Sequence, residues 1–454
     1  MNKKKKQDVP MAAAELRRHF KGHRVHELVT ANRTFPVTAR VDLQLALEKL
    51  FTNYVGTKLL GIHHPYSHHE TLTFAHVLGD QHNPVVISPL QHEEVDIGET
   101  LLARCLRQAI WLAQEERMPY GLLVSAATNF GRQAGTHVEI AVPPGEIGSD
   151  LSRRLFDQIE TLVRSTATYR GKVISLESAD NYSGRVGVLR VHKLREVTRE
   201  HVILPDKTLQ LLDRNIGGFV RQREQLKKLG MPVKKGLLFY GPPGTGKTHT
   251  IHYLASQLPD HTTLLITSEQ VALLDHYFQL ARFLQPAMVV IEDVDLIARS
   301  RETMYGPCDE SILNKLLNEM DGLREDAEIL FVLTTNRPQN LEAALASRPG
   351  RIDQAIEFPL PDEEGRAQLV RLYASGLPLD DEVVEMIVRN TDKASAAFIK
   401  ELMRRSAQLH IQRGSRGKLR PEDLNDALEE MLFAGGSLNA KLLGAEGLSR
   451  DTVH

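Results

Sequence analysis

Five consecutive apolar residues, Ala287 to Ile291, run unbroken into three carboxylates, Glu292, Asp293 and Asp295. An apolar run of this length suits a parallel-sheet strand covered on both faces. GLLFY (236–240) and ILFVLTT (329–335) repeat the pattern. Alternating strand and helix patterns continue to about Pro361, the signature of a parallel α/β sheet. From Asp362 to about Phe433 the periodicity is helical throughout, and LPDKTLQLLDRNIGGFVRQREQLKKLG (204–230) is a helical lead-in ending at Gly230. The chain before residue 195 mixes both periods. Glu99 to Arg117 has apolar residues at helical spacing and predicts an amphipathic helix. Segments beginning at Tyr120, His137, Lys172 and Val186 predict strands, and Asp150 to Ser165 predicts a helix capped by Ser149 or Asp150. The resulting plan is a mixed α/β or α+β domain over 1–195, a core over 204–361, a helical segment over 362–433 and a loose polar tail over 434–454.

Composition changes this picture little. At 454 residues, 42% apolar and 25% charged, the chain has the make-up of a globular protein with two or three domains. A net charge of -2 does not favour a polyanionic partner such as nucleic acid. Cys105 and Cys308 stand far apart in no ligand-like spacing, which fits a reducing compartment and predicts a cytoplasmic location. No apolar run approaches the roughly 18 to 20 residues of a membrane-spanning helix. Lys3 to Lys6 precede no apolar stretch and read as a flexible end of about ten residues, not a secretory signal.

The strongest chemical signal is GPPGTGKT: Gly241, Pro242, Pro243, Gly244, Thr245, Gly246, Lys247 and Thr248. It satisfies G-x-x-x-x-G-K-[ST] between an apolar strand and a helix-forming segment. Glycines let the backbone curl so that N–H groups face phosphate oxygens, and the helix starting there adds its positive end. Lys247 is placed to reach the β- and γ-phosphates, and the Thr248 hydroxyl to ligate Mg2+. A second apolar strand ending in acids completes a nucleotide and Mg2+ pairing, with Glu292 and Asp293 as the acids.

With these motifs, residues 204 to 433 resemble the AAA family of ATPases. GPPGTGKT is similar to its Walker A motif, VVIEDVD to its Walker B motif, and Thr334 to Asp353 to its second region of homology. The resemblance implies a P-loop parallel sheet with helices on both faces and a small helical lid, preceded here by a separate mixed α/β N-terminal domain. It implies ATP hydrolysis with Mg2+, Glu292 on the metal side, Asp293 activating water, Asn336 aligning that water, and Arg348 and Arg351 acting on a neighbouring subunit's nucleotide. Shared sites of that kind imply a homo-oligomeric ring, most simply a hexamer. The work implied is remodelling, disassembly or translocation of a protein partner chosen by the N-terminal domain. The alternative is a nucleotide-gated scaffold or nucleic-acid-associated regulator with slow turnover.

Two departures narrow the resemblance. Glu292 precedes Asp293, inverting the usual order, and Ser268 to Val289 is shorter than the family norm. No aromatic–apolar–glycine pore tip stands there; Tyr277 and Phe278 lie in a helical pattern and read as core. Both features, with the lead-in, are similar to the branch containing the mitochondrial ATPase that translocates the Rieske protein. Ser395, Ala396 and Ala397 replace the usual Gly-Ala pairing of the lid. A zinc protease would need H-E-x-x-H, whose second histidine HELVT, HETLT and HEEVD all lack. His63, His64, His68 and His69 read as polar turn residues, with metal binding as the sharper alternative. His249 and His252 read as structural, facing the sheet or a neighbouring subunit. Asp295 reads as a supporting or helix-capping acid.

Overall fold

The computed structural model describes residues 10–434 except 53, 55, 65–69, 80–82, 99–101, 130–131, 167, 178–187, 296–310, 342–349, 375 and 415–416. The chain divides into two compact units: residues up to Arg170 with Ile174–Lys193, and Gly171–Val173 with the chain from Leu194 onward.

In the first unit, strands β1 (Val29–Phe35), β2 (Lys58–His63), β3 (Val86–Ser88), β6 (Ala109–Glu115), β7 (Met118–Asn129) and β8 (Arg132–Val142) form an antiparallel sheet in the order β1-β8-β7-β6-β2-β3. Between them in sequence, β4 (His92–Asp96) and β5 (Leu102–Leu106) pair as a separate hairpin, and β9 (Val173–Glu177) and β10 (Val188–His192) follow. Helices α1 (Ala12–His19) and α3 (Phe74–Gly79) bury Leu16, Phe74 and Val77 against Ile110, Leu123 and Ala141 of the sheet. Helices α2 (Arg40–Thr52) and α4 (Glu146–Ser165) also belong to this unit.

Two expectations for this unit are corrected. The helix expected over Glu99 to Arg117 is not found among the described residues of that stretch, which β5 and β6 occupy. Ala109 to Ala113 are all buried, so side chains on both faces of β6 are covered and the strand loses the alternation that marks a half-exposed one. Glu116 and Arg117, expected to close a helix, instead adopt φ of 47° and 71° between β6 and β7. Positive φ at both central residues is what a tight hairpin connection demands. Helix α4 begins at Glu146 after Gly145, one turn before the predicted caps, and the Ser149 hydroxyl donates to the Gly145 carbonyl.

The second unit begins with α5 (Asp206–Leu212), a wider π-type turn over Asp213–Gly218, and α6 (Phe219–Lys228). Its sheet strands are β11 (Lys235–Tyr240), β12 (Thr262–Ile266), β13 (Ala287–Ile291), β14 (Ile329–Thr335) and β15 (Gln354–Glu357). They form a parallel ladder in the order β12-β13-β14-β11-β15. Every residue of β13 and β14 is buried, as continuous apolar runs require. Helices α7 (Lys247–Gln257), α8 (Leu274–Phe283) and α9 (Ser311–Asp321) connect the strands. Tyr277 and Phe278 are buried on α8 and Phe278 stacks with Phe331, so they are core as expected. Register matters most here. Ile266 pairs with Ile291, Ile291 with Leu333, and Tyr240 with Thr335. The carboxyl ends of β11 and β14 are therefore level, and β13 ends two residues short of them so that Glu292 and Asp293 follow at the same edge, which is where ligands bind in open parallel sheets.

Helices α10 (Glu363–Tyr373), α11 (Asp381–Asn390), α12 (Ala396–Gln412) and α13 (Pro421–Glu429) share a core of their own around Phe398, Leu402, Leu424 and Leu428. Asp423 is buried beneath it and accepts from His410 Nδ1 at 2.8 Å, Arg413 Nη1 at 2.6 Å and the Arg420 N–H at 3.2 Å. Burial alone would raise the Asp423 pKa, but hydrogen bonds from His410, the Arg420 backbone and Arg413 hold it below its ordinary 3.8. A carboxylate depressed in the folded state stabilises above its unfolded pKa and stops doing so as pH falls through the folded one. Asp423→Ala is expected to lower the stability of these helices by about 3 kcal/mol at pH 7, because it leaves His410 and Arg413 without their shared acceptor. In urea melts the difference from wild type should shrink as pH falls below about 4, in the direction that linkage sets.

Candidate functional site

Lys247 begins α7 after a loop that only glycines can trace. Gly246 has φ of 95°, and a Cβ on Gly244 (φ 77°) would lie 2.9 Å from Ala397 Cβ and from Ser395 Oγ. The lysine is buried and its Nζ donates to the Gly241 and Pro242 carbonyls, each at 2.9 Å. Burial pushes its pKa down to about 8, against the upward pull of Asp293 and Asp295. A buried ammonium resting on loop carbonyls is poised for an anion that carries more charge than they do.

The acids stand where the strand ends place them. The Thr248 hydroxyl donates to Glu292 Oε1 at 2.8 Å, so two hard oxygen donors from α7 and β13 converge, the kind of set Mg2+ takes. Asp293 has φ of 48°, a backbone region a non-glycine residue enters only when its surroundings enforce it. Its N–H donates to Thr334 Oγ1 at 3.0 Å and its Oδ1 accepts from Asn336 Nδ2 at 3.0 Å. Burial, then Asp295, raises the Asp293 pKa, while Lys247 and Asn336 oppose the shift. Asp295 does not cap a helix end as its principal role. It is buried, and its Oδ1 accepts from the Thr335 hydroxyl at 2.8 Å and the Asn336 N–H at 3.3 Å. Thr334 and Thr335 went unremarked in the sequence; their signal was two hydroxyls closing an otherwise apolar strand.

Lys247, Thr248, Glu292, Asp293, Thr334 and Asn336 open on one cavity of about 360 Å3. Its walls also include His201 to Leu204 of the segment before α5, and Leu369, Tyr373, Ala396 and Lys400 of the helical segment. The Ala397 N–H donates to the Gly244 carbonyl at 3.0 Å, so α12 meets the phosphate loop directly even without the usual Gly-Ala pairing. His249 lines the cavity, with Nε2 3.1 Å from the His201 carbonyl, instead of facing the sheet, and His252 is half-buried on the same helix.

Arg351 pairs with Asp321 of its own chain, and Arg348 falls outside the described residues. His63 is exposed and His64 buried, whereas His68 and His69 fall outside the described residues. Among the described residues no group of three or more histidine, cysteine or acidic side chains is placed to hold a metal ion.

Residues 237–360 match the family described as ATPase family associated with various cellular activities (AAA). The chain is 33% identical over 225 residues to a proteasome-activating nucleotidase of Methanothermobacter thermautotrophicus, covering 47% of this chain and 54% of that one. It is 36% identical over 213 residues to a 26S proteasome regulatory subunit 6B homologue of Dictyostelium discoideum, covering 43% and 51%. To an ATP-dependent zinc metalloprotease FtsH of Thermus thermophilus it is 32% identical over 227 residues, covering 47% and 36%. The chain thus spans about half or less of the length of these curated relatives. No helix among the described residues is long and apolar enough to cross a membrane. Each residue from Gly241 to Asn336 that meets the phosphate end of the cavity lies inside the matched span, and residues 237–360 are an AAA ATPase domain.

Proposed function

We propose that this chain hydrolyses ATP with Mg2+ and couples that hydrolysis to remodelling a protein partner, as a subunit of a homo-oligomeric ring. The observation that carries the reading is the convergence of Lys247, Thr248, Glu292, Asp293 and Asn336 on one cavity at the strand ends. Lys247 and the loop N–H groups would take the phosphates, and Thr248 and Glu292 would hold the metal. Bound Mg2+ neutralises charge on the phosphate oxygens. Asp293 accepts the proton of the attacking water, which Asn336 orients through the amide it already aims at Asp293. The water oxygen bonds to the γ-phosphorus as its bond to the β–γ bridging oxygen breaks, releasing ADP and phosphate.

The inverted acids suit these tasks. Glu292 is one methylene longer than aspartate and reaches the Thr248 hydroxyl, while the shorter Asp293 is held back by its positive φ and by Asn336. This order and the short Ser268 to Val289 segment support a place in the branch containing the mitochondrial Rieske-protein translocating ATPase. Arg348 and Arg351 would complete a neighbouring subunit's site, which supports a head-to-tail ring, most simply a hexamer. Relatives that include a proteasome-activating nucleotidase and a proteasome regulatory subunit support a protein as the substrate. The helices α10 to α13 act as the lid, and the N-terminal unit selects the partner.

Asp293→Asn is expected to lower kcat by about 10²–10⁴-fold while ATP affinity changes little, measured by phosphate release and equilibrium binding. Wild-type turnover in that variant sinks the assignment of the two acids. Glu292→Gln should raise the Mg2+ concentration needed for half-maximal turnover, read from a metal titration at saturating ATP. ATP affinity of the free protein should weaken as pH rises through about 8, because Lys247 is charged below that value and neutral above it. Isothermal titration between pH 6.5 and 9.5 checks this, and a flat profile contradicts the role given to Lys247.

A further inference from the structure

The cavity has two chemically different ends. Lys247, Thr248, Glu292, Asp293 and Asn336 make the phosphate end. Val202, Ile203, Leu204, Leu369 and Ala396 make an apolar wall at the other, suited to a planar base. A nucleotide lying across both must place its sugar between them, beside the residue that follows Thr248. That residue is His249, whose ring is committed to the His201 carbonyl at 3.1 Å. Facing the same stretch from the helical segment are Tyr373 of α10 and Lys400 of α12, both lining the cavity.

Lys400 stands out among these groups. Its Nζ sits 6.0 Å from the centre of the Tyr373 ring, at the outer limit of a cation–π contact. It lines the cavity together with His249. Among the described residues no ion pair joins Lys400 to a carboxylate, although Arg404 and Arg405 of the same helix pair with Glu401, and Arg413 just after it pairs with Asp423. An ammonium carries three donors and no acceptor, so it suits hydroxyl and phosphate oxygens and does nothing for an apolar base face. Lys247 already serves the phosphate chain from within the loop.

We propose that Lys400 is a sugar-binding residue of the nucleotide site: its ammonium donates to a ribose hydroxyl, making the pocket selective for ribonucleotides over deoxynucleotides. The contact comes from α12, whose first turn also holds the phosphate loop through Ala397 N–H and the Gly244 carbonyl. Engagement of the sugar therefore adds a second tie between α12 and the nucleotide. The inference rests on the ATP reading above and extends it to the sugar.

The test is equilibrium binding of ATP, 2′-deoxy-ATP and 3′-deoxy-ATP to the wild-type chain, Lys400→Met and Lys400→Arg. Lys400 is exposed and both replacements favour helix, so the fold is retained. The wild type is expected to bind ATP about three- to tenfold tighter than at least one deoxy analogue, the worth of one such hydrogen bond. Lys400→Met should bring ATP down to the affinity of that analogue and leave the analogue itself unchanged, and Lys400→Arg should keep the preference. Equal weakening of all three nucleotides by Lys400→Met places the ammonium on a phosphate and overturns the inference, as does no change in any of them. Lys247→Ala separates this from the parent reading. If ATP binding is absent or indifferent to Lys247, the ATPase reading fails; if it depends on Lys247 and the sugar preference ignores Lys400, only the present inference fails.

Discussion

One buried carboxylate ties the reactive end of this sheet together. Asp295 leaves β13 in the turn that also carries Glu292 and Asp293, and it takes two hydrogen bonds from the end of β14, through the Thr335 hydroxyl and the Asn336 N–H. A charged group this deeply buried persists only when its oxygens are satisfied, so the two strand ends are held in one relative position. The strained backbone of Asp293 is held by the same clamp, with Thr334 taking its N–H and Asn336 its carboxylate. Without that clamp Asn336 would sit on a free loop, and the amide we propose to orient the attacking water would lose its fixed position.

Charge follows from the same geometry. Asp295 raises the Asp293 pKa while Lys247 lowers it, and both acids pull the lysine back up against its own desolvation. The three groups form one low-dielectric set, balanced so that the lysine is lowered to about 8 and the acid is a better proton acceptor than a solvated aspartate. The glycine loop and α12 share a second constraint. No side chain fits at Gly244 because Ser395 and Ala397 occupy the space, and a direct backbone bond spans the gap. The first turn of α12 and the glycine loop are therefore joined at that point.

Legibility in the sequence tracked the physics of each element. Strands β11, β13 and β14 were readable because burial on both faces leaves an uninterrupted apolar run, and the phosphate loop was readable because its glycines answer a backbone demand that no other residue meets. The same double burial misled the reading of Glu99 to Arg117. There Ala109 to Ala113 carry no alternation, and the hairpin turn at Glu116 and Arg117 uses charged residues where glycine or asparagine would have announced it. The start of α4 was placed one turn late because Ser149 has the chemistry of a cap, while Gly145, with φ of 117°, is where the chain in fact turns.

By itself the sequence determined which residues are candidates for the proposed chemistry, since phosphate binding, metal binding and proton transfer each demand particular functional groups at short spacings along the chain. Lys247, Thr248, Glu292, Asp293 and Asn336 are of that kind, each next to a strand end visible as an apolar run. Tertiary structure alone decided which groups meet. Asp295 became the clamp on Asn336, and His249 and Lys400 came to face one cavity, because residues 40 to 150 positions apart converge only when strands pair in register and a helix packs over their ends. Hydrogen bonds and charges act over a few ångströms of space, and one-dimensional spacing does not encode that proximity.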